Sequence, residues 1–170
     1  QQVLKENIIR PYIATSPFTE GFEDIPGAVT ETGVIKWLNN TELYDSFYAG
    51  VYDQLTQGSV RTQAEVGLML HEWTQQGEDI GKFEVLDVGC GTGIACAAFA
   101  KMNVKKVVGL DLSKAMLNQA KTVVIPQSTL NDGQKEILEW RNADCIDPSA
   151  CAGGEFNHAC LLYFTLYYIP

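Results

Sequence analysis

Residues 83–93 constrain the fold of this 170-residue chain more than any other stretch, because a short apolar run leads directly into three glycines. The run FEVLDV has the length and composition of a β-strand that is buried on both faces, as in a parallel sheet. Gly89, Gly91 and Gly93 follow at alternate positions, and residues 94–102 then have the composition of a buried helix. A strand, a glycine turn and a helix in succession bring backbone N–H groups up to a ligand. The stretch therefore predicts a ligand-binding α/β domain.

The spacing of these glycines excludes the dinucleotide fingerprint. That fingerprint reads G-x-G-x-x-G, and its third glycine would fall on Ile94. The chain instead has D-x-G-x-G-x-G beginning at Asp87. The simpler alternative is a turn that only connects a strand to a helix.

Strand and helix patterns alternate through the rest of the chain. Apolar residues at three- and four-residue steps predict a helix from Thr41 that ends at Gly58, and residues 62–65 read as a capping box that opens a second helix. Further strands are predicted at 105–111, 137–143 and 156–163.

The connections between these strands are also predicted. A helix from Lys114 to about Val124 begins at a Ser113 cap and stops at Pro126, residues 127–135 form a polar loop, and residues 165–170 begin another helix.

This alternation predicts an α/β fold, a doubly wound, Rossmann-like and mostly parallel sheet of which the chain supplies about the first four strands. Three segments are expected. Residues 1–40 form an irregular N-terminal arm, residues 41–80 a helical cap, and residues 81–170 the ligand-binding domain. Strand 156–163 would be left as an apolar edge, which predicts that the domain is incomplete at its C-terminal side.

Charge is distributed unevenly, and this limits the partners. The net charge is −9, and the first 80 residues carry 4 Lys and Arg against 12 Asp and Glu. An acidic surface repels a phosphate backbone, so nucleic acid is disfavoured as a partner. No apolar run of about 18 residues occurs, so no membrane span is expected within the chain. A small-molecule substrate is the expected partner, and the oligomeric state is open.

The five cysteines do not form C-x-x-C pairs, and several lie in apolar runs. Neither a zinc site nor a disulfide framework is indicated, so no metal is expected. Buried, reduced thiols indicate a cytoplasmic protein.

Three acids lie at or just beyond the carboxyl ends of predicted strands: Asp87, Asp111 and Asp144. Ligands on parallel sheets bind at those ends, so these side chains are candidates for a common site. Asp111 follows Gly89 by 22 residues, where a carboxylate can accept hydrogen bonds from both hydroxyls of a ribose. The alternative is that Asp111 complements the dipole of the helix after Ser113.

The nonapeptide VLDVGCGTG closely resembles the first motif of class I S-adenosylmethionine-dependent methyltransferases, and VVGLDLSKAML resembles their second motif. The resemblance covers roughly residues 44–170 and implies S-adenosylmethionine as the cofactor. It implies that the backbone of Gly89, Cys90, Gly91 and Gly93 lies against the methionine and ribose portions. Asp111 would then bind the ribose and Leu112 would pack on the adenine.

The resemblance leaves two alternative roles for each of two other acids. Asp144 stands where the family places an acceptor for the adenine amino group, and a surface turn acid is the alternative. Asp87 either reaches the ammonium group of the ligand through water or orders the glycine turn.

The segment YDQLTQGSVRTQAEVGLML resembles the region before the first motif in small-molecule methyltransferases of the glycine N-methyltransferase type. This implies that Tyr52 and Arg61 close over the cofactor, with the arginine pairing with its carboxylate. An Arg61–Glu65 ion pair along the helix is equally compatible with the sequence. The family usually has Asp where Asn157 stands, and this departure weakens any inference about the substrate. His158 reads as a core residue rather than a base.

Three functions are compatible with these residues. The first is methyl transfer to a small molecule, with no catalytic residue identified because alignment of the reactants supplies most of the catalysis. The second is a non-catalytic cofactor-binding or partner subunit of the same fold. The third is an aminopropyltransferase, against which a carboxylate-binding Arg61 would count.

Overall fold

The computed structural model describes residues 40–56, 58–75, 77–154, 156–163 and 165. These residues belong to one compact unit, Asn40–Ile169. The predicted arm lies outside the described residues except for Asn40, and so do residues 166–170 of the last predicted helix. The predicted boundary at residue 81 remains a prediction.

Four parallel strands form the described sheet. They are β1 (Glu84–Val88), β2 (Lys106–Asp111), β3 (Leu138–Asn142) and β4 (His158–Leu161). Their order is β3-β2-β1-β4, so the chain winds outward from β1 to β3 and then returns to the other side of β1. This confirms the predicted Rossmann-like fold class. The reversal places a topological switch point at the carboxyl end of β1, where parallel sheets bind their ligands.

Helices flank the sheet and precede it. They are α1 (Asn40–Leu43), α2 (Ser46–Leu55), α3 (Gly58–Gln75), α4 (Ile94–Lys101), α5 (Lys114–Gln119), a π-helical turn (Ala120–Val124), α6 (Ile125–Gln127) and α7 (Asp132–Glu136). Short 3₁₀ turns occur at Ile80–Lys82 and Pro148–Cys151. No helix among the described residues is long and apolar enough to cross a membrane.

The main core lies between the sheet and helices α3 and α4. Val85 and Val107 of the two central strands are fully buried there together with Phe99 of α4. Trp73 of α3 stacks on Phe99 with a centroid separation of 5.8 Å and an interplanar angle of 8°. This contact holds α3, which precedes the glycine turn, against α4, which follows it.

The helices before β1 differ from the prediction. The first predicted helix breaks at Tyr44, and Asp45 caps α2 by accepting a hydrogen bond from Tyr48 N at 2.8 Å. Gly58 begins α3 instead of ending a helix, and the capping box predicted at residues 62–65 is wrong because Thr62 is 6% exposed inside α3. The Ser/Thr-x-x-Glu pattern also occurs inside helices, so the pattern by itself does not fix a terminus.

Two further boundaries were mispredicted after β2. The helix does not stop at Pro126, because a π turn shifts the hydrogen bonding and Ile125 N donates to Ala120 O. Pro126 then lies in the first turn of α6, directly after the π turn. The polar loop predicted at 127–135 contains α7, which an Asn131–Gln134 capping box begins.

Candidate functional site

The glycine turn is held at the carboxyl ends of β1 and β2 by backbone hydrogen bonds. Gly89 N and Cys90 N both donate to Leu110 O, at 2.7 and 3.0 Å. Gly89 has a φ of +72° and Gly93 a φ of +79°, a region that side-chain-bearing residues rarely adopt. Gly93 is also the N-cap of α4, so the turn leads directly into the helix.

The carboxylate of Asp111 joins the two loops that follow β1 and β2. Its Oδ2 accepts a hydrogen bond from Gly91 N and its Oδ1 accepts one from Ser113 N, each at 2.8 Å. Burial raises the pKa of Asp111, and these two backbone donors oppose that rise. Each carboxylate oxygen has two lone-pair positions, so two remain for a pair of ligand hydroxyls.

The three glycines of the turn have different surroundings. A Cβ at Gly91 would meet Tyr52 Cε1 at 3.9 Å and no nearer heavy atom within the described part of the chain, so this face of the turn is open. A Cβ at Gly89 would collide with Thr165, and one at Gly93 would lie 2.5 Å from Cη2 of Trp140. The space beside Gly89 and Gly93 is therefore filled by protein side chains, whereas the space beside Gly91 can hold a ligand.

Asp87 is buried beneath the turn. It is 1% exposed, and its oxygens accept hydrogen bonds from Cys96 Sγ at 3.3 Å and Cys160 Sγ at 3.5 Å. Burial raises the pKa of Asp87 to about 6, and the two thiols oppose the rise. Cys90 is also buried, with its Sγ 2.9 Å from the position of a Cβ at Gly109.

Leu112 and Asp144 lie along the same edge of the sheet, beyond β2 and β3. Asn142 at the end of β3 donates from Nδ2 to Asp111 O at 3.0 Å and Leu112 O at 2.9 Å. This fixes the peptide that carries Leu112, whose side chain is 42% exposed. Asp144 is exposed, and its Oδ1 accepts from Ile146 N at 3.1 Å within its own turn.

Helix α2 contacts both loops of the site. Thr92 Oγ1, in the glycine turn, donates to Asp53 Oδ1 at 2.6 Å. Ser113 Oγ donates to Tyr44 O, just before the helix, at 2.6 Å. Tyr48 packs between Tyr44 and Tyr52, with ring centroids 5.4 and 5.7 Å away. The helix therefore presents an aromatic surface next to the glycine turn.

Arg61 lies on α3 at a different part of the site. Its Nε is 3.3 Å from Glu65 Oε1, so the ion pair that was one of the two alternatives from the sequence is present. Its guanidinium lies over the ring of Tyr163. Nε and Nη2 are buried and make no hydrogen bond within the described residues. Tyr163 follows β4 with a φ of +64°, and its hydroxyl donates to Thr56 O at 2.9 Å.

Asn157 and His158 lie at the opposite edge of the sheet, where the strands begin. Asn157 Oδ1 accepts from Glu84 N at 2.8 Å, and its Nδ2 donates to Lys82 O at 2.9 Å. The His158 ring packs on Phe83 and Trp73 with centroid distances of 4.1 and 4.2 Å. Both side chains therefore support the fold, as expected for His158.

The structure brings most of the predicted site residues together at one edge. Asp87, the glycine turn and Asp111 are in direct contact or one residue apart, and Tyr52 faces Gly91. The described contacts of Asp144 are local, and those of Arg61 are with Glu65 and Tyr163.

Sequence reasoning missed several contributors to this edge, namely Asp53, Thr92, Trp140 and Asn142. Thr92 could have been found, because it lies inside the glycine motif.

Comparison with known proteins identifies the domain. A methyltransferase domain family matches residues 85–168. A probable protein arginine N-methyltransferase 3 of Oryza sativa subsp. indica is 30% identical over 115 residues, which are 68% of this chain and 18% of that protein. Protein arginine N-methyltransferase 1 of Saccharomyces cerevisiae is 37% identical over 82 residues, 48% of this chain and 21% of that protein. The chain thus spans about a fifth of the length of these curated relatives.

Solved structures share the fold. CalS10, an amino pentose methyltransferase from Micromonospora echinaspora whose structure has SAM bound, superposes with a TM-score of 0.54 at 23% identity. The match covers 71% of this chain and 44% of that chain. DesVI of Streptomyces venezuelae gives a TM-score of 0.52 at 24% identity, over 68% of this chain and 43% of that chain. The chain therefore carries a match to the methyltransferase domain family at residues 85–168 and shares the fold of CalS10 and DesVI.

Proposed function

We propose that the chain binds S-adenosylmethionine and takes part in transfer of its methyl group to an acceptor. The observation that carries this proposal is the Asp111 carboxylate, which is fixed by Gly91 N and Ser113 N beside the open face of the glycine turn. Its remaining lone pairs suit a ribose diol, and the family match supplies the identity of the nucleoside.

The residues of this edge fit the cofactor. Asp111 would accept from the ribose hydroxyls, and the exposed Leu112 would pack on the adenine next to Asp144. The backbone of Gly89, Cys90, Gly91 and Gly93 would lie along the methionine and ribose portions, with the open position at Gly91 giving the closest approach.

The charged ends of the methionine portion have candidate partners in Arg61 and Asp87. Arg61 Nη2 lacks a hydrogen bond within the described residues and Nε is ion-paired with Glu65, so a ligand carboxylate would satisfy Nη2 and take the place of Glu65 beside Nε. Tyr52 would cover the ligand from α2. Asp87 would act on the ammonium group indirectly, because its oxygens are already bonded to Cys96 and Cys160.

Bound S-adenosylmethionine supplies a methyl group on a sulfonium sulfur. When the methyl group is transferred, the sulfur becomes a neutral thioether, which is a good leaving group. The contribution of this chain is to hold the reactants in line and to exclude water, which is catalysis by orientation. Asp111 and Asn142 fix the loop that would hold the nucleoside, and Tyr52 narrows the space above Gly91. No described side chain is assigned as a general base, because the proton can leave an amine acceptor after transfer.

We propose a small molecule as the acceptor, since the first 80 residues are acidic and the amino pentose methyltransferase CalS10 shares the fold. A protein arginine side chain is the second candidate, because the relatives with 30% and 37% identity are protein arginine N-methyltransferases. Cytoplasmic location belongs to the same proposal, because five free cysteines suit a reducing compartment.

Calorimetric titration of the chain with S-adenosylmethionine tests the cofactor, with NAD as the control ligand. Binding of S-adenosylmethionine alone is the expected result. Methyl-labelled S-adenosylmethionine incubated with a metabolite extract and, separately, with a protein extract then tests the acceptor. Label in the metabolite fraction supports a small-molecule acceptor, label in arginine supports the second candidate, and binding without transfer supports a non-catalytic subunit.

A further inference from the structure

The hydroxyl of Thr92 attaches helix α2 to the glycine turn. Thr92 is 2% exposed and lies between Gly91 and Gly93. Its Oγ1 donates to Asp53 Oδ1 at 2.6 Å, across 39 residues of sequence. An O–H donor this close to a carboxylate is typical of charge-assisted hydrogen bonds, which are about 2.5–2.7 Å long.

A second attachment lies at the other end of the same helix. Ser113 Oγ donates to Tyr44 O at 2.6 Å while it accepts from Met116 N at 3.2 Å as the cap of α5. One end of α2 is therefore bonded to the loop after β2 and the other to the loop after β1. Tyr44 lies just before α2 and Asp53 lies in the C-terminal half of the helix, so α2 lies across both loops of the site.

We propose that Asp53 and Thr92 are positioning residues that hold α2 against the glycine turn and thereby set the affinity for the cofactor. This inference rests on the proposed function. Tyr52, the neighbour of Asp53, has its Cε1 3.9 Å from the Cβ position of Gly91, so the Asp53–Thr92 bond fixes the height of Tyr52 above the open face. Burial raises the pKa of Asp53, which agrees with a carboxylate held in a closed contact.

The attachment affects the affinity for the cofactor through the fraction of molecules in which α2 is docked. If α2 is docked in only a fraction of molecules, the apparent dissociation constant rises by the inverse of that fraction. Removing the Thr92 hydroxyl or the Asp53 carboxylate lowers the docked fraction while the Ser113 attachment remains. Each change should therefore weaken binding without removing any group that touches the ligand.

The test is calorimetric titration of the 170-residue chain with S-adenosylmethionine. We expect Thr92→Val and Asp53→Ala each to bind about tenfold more weakly, which is about 1.4 kcal/mol. Thr92→Ser keeps the hydroxyl and should bind within about twofold of the wild type. The double variant should be no weaker than either single variant, because both remove one shared bond. If Asp53→Ala does not fold, the comparison of Thr92→Val with Thr92→Ser carries the test, because only the first of these removes the hydroxyl.

Thr74→Val is the matched control. Thr74 Oγ1 donates to Leu70 O at 2.8 Å at the end of α3, so the same hydroxyl-to-methyl change is made away from the glycine turn. We expect it to leave the affinity unchanged even where it lowers the thermal midpoint. The positioning role would be overturned if Thr74→Val and Thr92→Val both lost affinity in the same proportion to the decrease in their thermal midpoints.

The remaining outcomes separate the two proposals. A folded wild-type chain that binds no S-adenosylmethionine overturns the proposed function and this inference together. A wild-type chain that binds while Asp53→Ala and Thr92→Val bind equally well overturns this inference alone. Additive losses in the double variant also overturn it, because the two side chains would then act separately.

Discussion

Gly109 in β2 lies directly against the indole of Trp140, its registered partner on β3. A Cβ at Gly109 would lie 2.9 Å from Cε3 and from Cζ3 of the ring, and the same ring fills the space beside Gly93. One indole therefore sets the spacing between the centre of the sheet and the end of the glycine turn.

Replacing Gly109 by alanine should destabilise the fold by about 1–3 kcal/mol, because the added methyl overpacks this contact. In a Trp140→Phe background the same replacement should cost less, since the smaller ring leaves space. Urea unfolding of the four proteins measures the difference. Gly67→Ala is the control, because no heavy atom of the described residues lies within 4 Å of a Cβ there and alanine favours the helix. Equal costs in both backgrounds would show that Trp140 is not the obstacle.

Stability should depend on pH through Asp87. Its pKa is raised from the ordinary value of 3.8 to about 6 by burial, so the unfolded chain ionises at lower pH than the folded chain. Between these values the folded state holds a proton that the unfolded state has lost, and stability therefore falls as pH rises through about 6. The shift corresponds to about 3 kcal/mol.

Asp87→Asn should remove this dependence, because an amide does not titrate. Urea unfolding of both proteins at intervals from pH 4 to 7 should show the variant gaining on the wild type by about 3 kcal/mol across that range. A constant difference between the two proteins at every pH would contradict the assignment to Asp87.

Asn157→Asp should lower stability by about 1 kcal/mol, because a carboxylate cannot donate to Lys82 O. The affinity for S-adenosylmethionine should not change, since Asn157 lies at the edge of the sheet remote from the glycine turn. Thermal unfolding and calorimetric titration measure the two quantities on one sample. A large change in affinity would place Asn157 in contact with the site.

Asp111→Asn should weaken S-adenosylmethionine binding by at least tenfold. Both oxygens accept backbone N–H donors, so an amide group would set its own N–H against Gly91 N or Ser113 N. Asp132→Asn, which removes a charge in the first turn of α7, should bind like the wild type. Wild-type affinity in Asp111→Asn would show that the carboxylate only caps the loop.

The elements that the sequence predicted well are those with local signals. The run before Gly89 and the run before Asp111 are buried on both faces, so their composition alone identified β1 and β2. The Ser113 cap was also visible, because a cap bonds within its own turn. The errors at Thr62 and Pro126 arose where tertiary packing and a π turn overrode local rules.

The site was only partly accessible to sequence reasoning for the same reason. Asp111 and the glycine turn could be located by spacing along the chain. The Asp53–Thr92 bond joins residues that are 39 apart, and no local pattern marks Asp53 on α2. Trp140 read as an ordinary strand residue, although its ring lies against Gly109 of β2 and against Gly93, which the motif assigned to a ligand.

The strand order also determines how late the site can be completed during synthesis. β1, β2 and β3 leave the ribosome in succession and are neighbours in the sheet, whereas β4 pairs Val85 with His158, 73 residues later. Thr165, which covers Gly89, emerges later still. A nascent chain can therefore assemble three strands before β4 and Thr165 are available to cover β1 and the glycine turn. During translation this edge is therefore exposed to solvent and chaperones.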